Sequence, residues 1–178
     1  ADGTAVKTPG DIVFPYIQKN LDDIITVEDE ELIVNFLDVV ENHKMVVENS
    51  GLLTVAALKH LNCKDKRVVS ILSGGNMDII TMSSVVQHGL IERGRVFTVS
   101  VQLPDRPGEL VNVANVIAQL KGNVIRLEHN QFVSINRNAA VELKITLEAF
   151  GHEHKQQIVD ALKEKGYDPK LENPTSLY

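Results

Sequence analysis

Tryptophan is absent from this sequence of 178 residues, and aromatic side chains together supply only 4% of it. A core built from such a chain must rest on Val, Ile and Leu. Cysteine occurs once, as Cys63, so no disulfide can close within the chain. A lone thiol fits a reducing, cytoplasmic setting and reads first as a small, partly buried hydrophobe. No apolar run approaches the roughly 20 residues of a membrane span, and the opening ADGTAVKTPGD carries no signal-peptide pattern. Nor is there an excess of positive charge: 18 Lys and Arg stand against 24 Asp and Glu, a formal net charge of -6. No basic stripe is interleaved with aromatics. These lacks argue against a nucleic-acid partner and against a membrane. The sequence opens on Ala1 rather than Met and without a helix cap, and so reads as the middle of a longer protein.

What is present has two grammars. In the first half, the turn signal Thr8-Pro9-Gly10-Asp11 precedes short helical character over Ile12–Lys19. Asp22–Val27 closes a short apolar strand. Glu28–Lys44 predicts a helix with an acidic first turn, which suits the helix dipole, and Leu32, Ile33, Phe36, Leu37 and Val40 lie on one face of it. Ser50 is placed to cap a second helix, Gly51–Leu61. After the charged turn Lys64–Arg67 comes Val68–Leu72, an unbroken Val/Ile/Leu run that predicts a strand buried on both faces of a parallel sheet. Asp78–Glu92 predicts the covering helix. Strands alternating with helices indicate part of an α/β domain.

The stretch HGLIERGRV, residues 88–96, holds two glycines and three charges, and the junction is placed there, dividing residues 1–94 from 95–178. Beyond it Phe97, Val99, Val101 and Leu103 alternate with polar residues, the mark of a half-buried strand. Leu110, Val113, Ala114, Ile117 and Leu120 predict one helical face, closed at Lys121-Gly122. Asn123–Phe132 predicts a strand, Asn136–Ala139 a turn, and Val141 to Glu148 a third, alternating strand. His152–Lys165 predicts a helix stopped by Gly166, with Pro169–Glu172 as a short edge strand. The order β-α-β-β-α-β is that of a ferredoxin-like unit with both helices on one face of the sheet.

Several stretches could carry chemistry. Ser73-Gly74-Gly75-Asn76 ends the apolar strand, yet it is neither a dinucleotide fingerprint nor a phosphate loop. It is a tight strand-to-helix turn capped by Asn76 or Asp78, or a place where a flat ligand comes close to backbone at the carboxyl end of a strand. In Leu103–Leu110, LPDRPGEL, Pro107 suits a helix start and Gly108 lets amides face a ligand carboxylate; an ordinary βα turn reads equally well. Glu48 is either a cofactor neighbour or a solvated carboxylate. His152 and His154 stand at i and i+2, which splits them onto different helix faces and disfavours a metal site.

Taken together, ADGTAVKTPGD, VVENSGLLTVAAL, VVSILSGGN and VQLPDRPGEL resemble the C-terminal half of the threonine dehydratases (threonine ammonia-lyases) of the type with a single C-terminal ACT domain. The resemblance spans the chain. It implies the C-terminal part of a fold-type-II, tryptophan synthase β-like domain that binds pyridoxal phosphate (1–94), followed by a ferredoxin-like ACT regulatory domain (95–178). It implies deamination of L-threonine to 2-oxobutanoate and ammonia, a place in amino-acid metabolism, an amino-acid effector, and homo-oligomers formed through ACT domains. It carries a role over to Ser73, hydrogen-bonded to the cofactor's ring nitrogen. A neutral hydroxyl there leaves that nitrogen unprotonated and favours β-elimination. Gly74, Gly75 and Asn76 complete that turn, and Glu48 stands near the ring. Asp105, Pro107, Gly108, Glu109 and Leu110 map to the effector loop, with Asn123 and Val124 on the facing strand. The family's Schiff-base lysine and glycine-rich phosphate loop have no counterpart here, since Lys7, Lys19, Lys44, Lys59, Lys64 and Lys66 sit in no such motif. The expectation is a chain that is catalytically incompetent by itself and does not retain pyridoxal phosphate. The competing expectations are a stand-alone amino-acid-binding module, or serine dehydration or racemisation within the same family.

Overall fold

A computed structural model of the chain describes residues 1–130 and 140–172. The chain divides into two compact units, Ala1–Gly89 and Leu90–Tyr178.

The first unit is helical. Its elements are α1 (Phe14–Asn20), α2 (Asp29–Asp38), a short α3 (Leu53–Ala56) and most of α4 (Ile79–Glu92). The start of α2 is fixed by a capping box in which the Glu28 amide donates to the Glu31 carboxylate at 3.2 Å. Leu32, Phe36 and Val39 then recur at helical spacing and meet Val47, Leu52, Ala56 and Val85 in one core. The helix predicted over Glu28–Lys44 keeps α-geometry only to Asp38. A single π-turn over Val39–His43 follows, and Lys44 adopts φ 57, in the left-handed region.

Two predicted strands of this unit are not strands. Asp22–Val27 has no regular structure, and Val68–Leu72 joins no ladder; among the described residues the unit contains no strand at all. A strand needs a neighbour for its amides and carbonyls. Without one, Val69 is 87% and Ile71 72% exposed instead of buried on both faces. Side chains hold the segment in place of a ladder: Thr54 Oγ1 donates to the Ile71 carbonyl at 2.8 Å and Ser70 Oγ to the Thr54 carbonyl at 3.3 Å. The helix predicted over Gly51–Leu61 is broken too. α3 is flanked by 3-10 turns at Asn49–Leu52 and Ala57–His60, and the Ser50 hydroxyl donates to Glu48 Oε1 at 2.7 Å rather than capping.

The second unit is a four-stranded antiparallel sheet with two helices: β1 (Val96–Pro104), α5 (Glu109–Gln119), β2 (Asn123–Asn130), β3 (Ala140–Glu148), α6 (His152–Glu164) and β4 (Lys170–Glu172). The strand order is β2-β3-β1-β4, the ferredoxin-like arrangement. Phe97, Val99, Val101 and Leu103 of β1 and Leu143, Ile145 and Leu147 of β3 meet α5 and α6 in one core, so both helices cover one face. The buried face of α5 is Val113, Val116 and Ile117, with Leu120 half-buried. It is rotated from the predicted set, leaving Leu110 and Ala114 exposed. The opposite sheet face is polar yet also buried at its centre, where the Thr98 and Thr146 hydroxyls lie 3.0 Å apart. The turn predicted at Asn136–Ala139, and residues 131 and 132 of the second strand, lie outside the described residues.

Candidate functional site

The first unit builds its site where the turn after residue 72 meets the turn after residue 47. The Glu48 amide donates to the Gly74 carbonyl at 3.3 Å. Gly74 has φ +76, and a Cβ there would lie 2.3 Å from the Glu48 carboxyl carbon. Glycine is thus required twice over, by backbone conformation and by the carboxylate lying against it. A Cβ on buried Gly51 would sit 1.6 Å from the Ser73 carbonyl oxygen, so backbone is seated directly on backbone. At Gly75 the nearest atom would be 3.5 Å away, an ordinary contact. Of the two adjacent glycines, only the first is demanded here.

Ser73 is exposed on this turn. At the Glu48 turn opens a cleft of ≈ 250 Å³, lined among others by Gly3, Glu48, Asn49, Ser50, Asn76 and Asp78. Glu48 and Asp78 bring two carboxylates to the lining, and no Lys or Arg among the described residues belongs to it. Asp78 starts α4: its Oδ1 accepts from the amides of Ile80 and Thr81, each at 2.9 Å. The Thr81 hydroxyl adds a bond to Asp78 Oδ2 and, with its amide, holds the Asp78 carboxyl below the usual aspartate range. Asn49 Oδ1 is buried with no hydrogen-bond partner. Of the residues singled out in sequence, Glu48 and Asn76 line this cleft; Gly74 lies against Glu48, and Ser73, Gly74 and Gly75 are not among the lining residues. Asn49, Asp78, Gly3 and Gly51 were not foreseen as site residues, although Asn49 directly follows Glu48.

The second unit forms a depression of ≈ 320 Å³ at the β1–α5 loop, lined by Asp105, Pro107, Gly108, Glu109 and Leu110 with His129 and Val141. Gly108 has φ +98 with nothing within 4 Å of a Cβ, so conformation rather than space favours glycine. Tyr167 donates to Glu109 Oε2 at 3.3 Å. Burial, and then the Glu109 charge, push the Tyr167 phenol above its ordinary value. Asn123 and Val124 are not brought to this loop. Asn123 pairs with Glu148, which pairs with Val96, whereas the loop follows Pro104 at the other end of β1. That separates them by about 25 Å at ~3.3 Å per residue. His129, near the loop end of β2, takes their place; the register across β3 that sets this was not readable from one strand. The imidazoles of His152 and His154 hold the backbone carbonyls of Glu92 (2.8 Å) and Leu120 (2.6 Å), a structural use.

No family model matches the chain. Individual relatives do. It is 37% identical over 169 residues to the L-threonine ammonia-lyase of Geobacter sulfurreducens, covering 94% of this chain and 42% of that protein. It is 33% identical over 172 residues to the L-threonine ammonia-lyase of Thermotoga maritima, covering 96% and 43%. By sequence, the chain belongs with the threonine ammonia-lyases. The biosynthetic L-threonine dehydratase of Pasteurella multocida aligns as well, 29% identical over 94% of this chain and 32% of its own. The chain therefore spans less than half the length of the ammonia-lyases it matches, and the match runs through both units. A solved structure from Bacteroides thetaiotaomicron overlays 44% of the chain and 49% of its own at 19% identity and a TM-score of 0.34, too little to argue from. No helix among the described residues is long and apolar enough to cross a membrane.

Proposed function

We propose that this chain is part of a cytoplasmic, pyridoxal-phosphate-dependent threonine dehydratase, contributing the ring end of the cofactor site and an amino-acid-sensing ACT domain. The observation that carries the reading is the alignment of 94% of this chain, at 37% identity, with 42% of a threonine ammonia-lyase. When bound, pyridoxal phosphate supplies the electron sink for losing the threonine hydroxyl as water. The described residues suit one end of that cofactor. Ser73 offers an exposed, uncharged hydroxyl to a ring nitrogen, and Gly74 gives close approach under Glu48. They do not suit its other end. A phosphate needs a cation or an array of amides, and among the described residues the cleft lining has two carboxylates and no Lys or Arg. A Schiff-base lysine needs a desolvated amine, and Lys7, Lys19, Lys44, Lys59, Lys64 and Lys66 are all exposed. No catalytic step is assigned to this chain, and by itself it is inactive.

In the second unit, the depression at the β1–α5 loop is the place for an amino-acid effector, whose carboxylate suits the start of α5. Val124, Ile125 and Leu127 leave apolar surface exposed on β2, the outer strand of the sheet, which favours pairing of two such units in a homo-oligomer. Threonine turnover tests the whole reading. The longer protein releases 2-oxobutanoate and ammonia, whereas the 178-residue chain with added pyridoxal phosphate releases neither. Turnover by the chain alone, or none by the longer protein, contradicts it. The second reading, a stand-alone amino-acid-binding module, is favoured by the second unit's own closed core. Calorimetric binding of isoleucine, valine or serine, coupled to no activity in any longer form, would select it.

A further inference from the structure

The two helices of the second unit turn different faces outward. Between Glu109 and Lys121 the exposed positions of α5 carry no charge: they include Asn112, Asn115 and Gln119, with Val111 at 59% exposure and the small Ala114 and Ala118. On α6 the exposed positions include Glu153, Asp160, Lys163 and Glu164. A solvated helix face is ordinarily charged. Carboxamides and small apolar groups give up water at less cost than charges, and the centres of binding surfaces are depleted of charge in the same way.

The polar groups on this face of α5 are also uncommitted. Asn20, Asn35 and Gln156 bond their carboxamides to their own helices, at 2.7, 2.7 and 2.8 Å. Among the described residues, the carboxamides of Asn112, Asn115 and Gln119 have no hydrogen-bond partner and Lys165 has no carboxylate partner. These four accessible side chains line one groove of ≈ 310 Å³ with buried Val116 and half-buried Tyr167. Lys165 caps α6, and the turn after it is fixed by Gly166 at φ +86. The Gly166 and Tyr167 amides donate to the Lys163 and Leu162 carbonyls at 2.9 and 3.1 Å. The Tyr167 hydroxyl then engages Glu109 Oε2 at 3.3 Å, and no acid among the described residues belongs to the lining.

Asn112, Asn115 and Gln119 follow one another at three and four residues, a row about 10 Å long at ~1.5 Å per residue. An extended peptide of roughly three residues has that length at ~3.3 Å each. Each carboxamide offers a donor and an acceptor, the pair that complements a backbone amide. An ammonium suits a terminal carboxylate. We propose that this groove binds the carboxyl end of a short extended peptide, with the three carboxamides on its backbone and Lys165 on its terminal carboxylate. The groove shares no lining residue with the depression at the β1–α5 loop, and the proposal does not rest on the dehydratase reading.

The probe is N-acetyl-trialanine, titrated into the isotope-labelled full chain and followed by side-chain carboxamide and backbone amide resonances. The expected result is saturable movement of the Asn112, Asn115 and Gln119 carboxamides and the Tyr167 amide, with the Asp105 and Gly108 amides unmoved. The same peptide ending in a carboxamide should bind about fivefold more weakly, the worth of one exposed ion pair. Lys165→Gln should weaken the acid by the same factor and leave the amide peptide unaffected, whereas Lys165→Arg should bind like the parent. Lys165 is exposed, so neither variant should alter the amide spectrum elsewhere. Placing the three alanines at the carboxyl end of a carrier domain separates the sources. Equal movement assigns the groove to chain ends as well as free peptides, and movement by the free peptide alone assigns it to the latter. Unmoved carboxamides, equal binding of the acid and amide peptides, or a Lys165→Gln chain that binds the acid as tightly as the parent overturns the proposal.

Discussion

The two units carry comparable apolar content and obey different logics. In the second, the strands predicted from alternation around Phe97–Leu103 and Val141–Glu148 lie where the side chains put them, because partners stand within the same unit: β1 pairs with β3 and β4, and β2 with β3. In the first, the apolar segment Val68–Leu72 has no strand partner, and Val68, Val69 and Ile71 stay exposed while Leu72 packs on the core. Helices satisfy their own backbones, so α2 and α4 survive in the same unit where the strands do not. A strand is a relation between segments, and periodicity predicts it only as far as the partner is present.

The largest effect that sharpens this contrast is a pair of truncations. Leu143→Ala, in the sheet core of the second unit, should cost about 2–5 kcal/mol in urea unfolding. Ile71→Ala, equally apolar but 72% exposed, should change stability by less than ~0.5 kcal/mol. Comparable losses at both sites would break the comparison. Next come the glycines. Gly74→Ala meets both a positive φ and the Glu48 carboxylate, whereas Gly108→Ala meets the φ alone. About 1 kcal/mol is expected at Gly108 and roughly twice that or more at Gly74, with equal losses counting against the Glu48–Gly74 contact.

The smallest effects are read from pH. The Tyr167 phenol is raised by burial and by Glu109, so the folded state holds its proton longer than the unfolded one. Stability is therefore full below the ordinary tyrosine value near 10 and falls as pH climbs through the raised folded value. Tyr167→Phe should remove that alkaline decline in a thermal-melt series. Asp78 behaves with the opposite sign. Its carboxyl is lowered by Thr81, so its contribution is present above the ordinary aspartate value and lost as pH falls through the folded one. Asp78→Asn should flatten the acid limb, and an unchanged limb would deny its role at the start of α4.

Much of this was legible in the sequence for local reasons. The alternation of Val141 to Glu148, the stop at Gly166 and Asp78 as a helix start are encoded within a few residues. The site was legible in part. Glu48 and Gly74 were singled out separately, and the structure joins them through a backbone bond and a shared space. Asn49 was passed over because an unsatisfied acceptor is a property of its surroundings, not of its identity. The resemblance puts Asn123 and Val124 on the strand facing the effector loop, but the register within one chain sets them at the end of β2 away from it.

The proposed cofactor site has its ring end in this chain and no covalent anchor there. The direct test is intact-mass analysis after incubation with stoichiometric pyridoxal phosphate and borohydride reduction. The account predicts the unmodified mass of the chain. One full equivalent of cofactor fixed on a single lysine would contradict it.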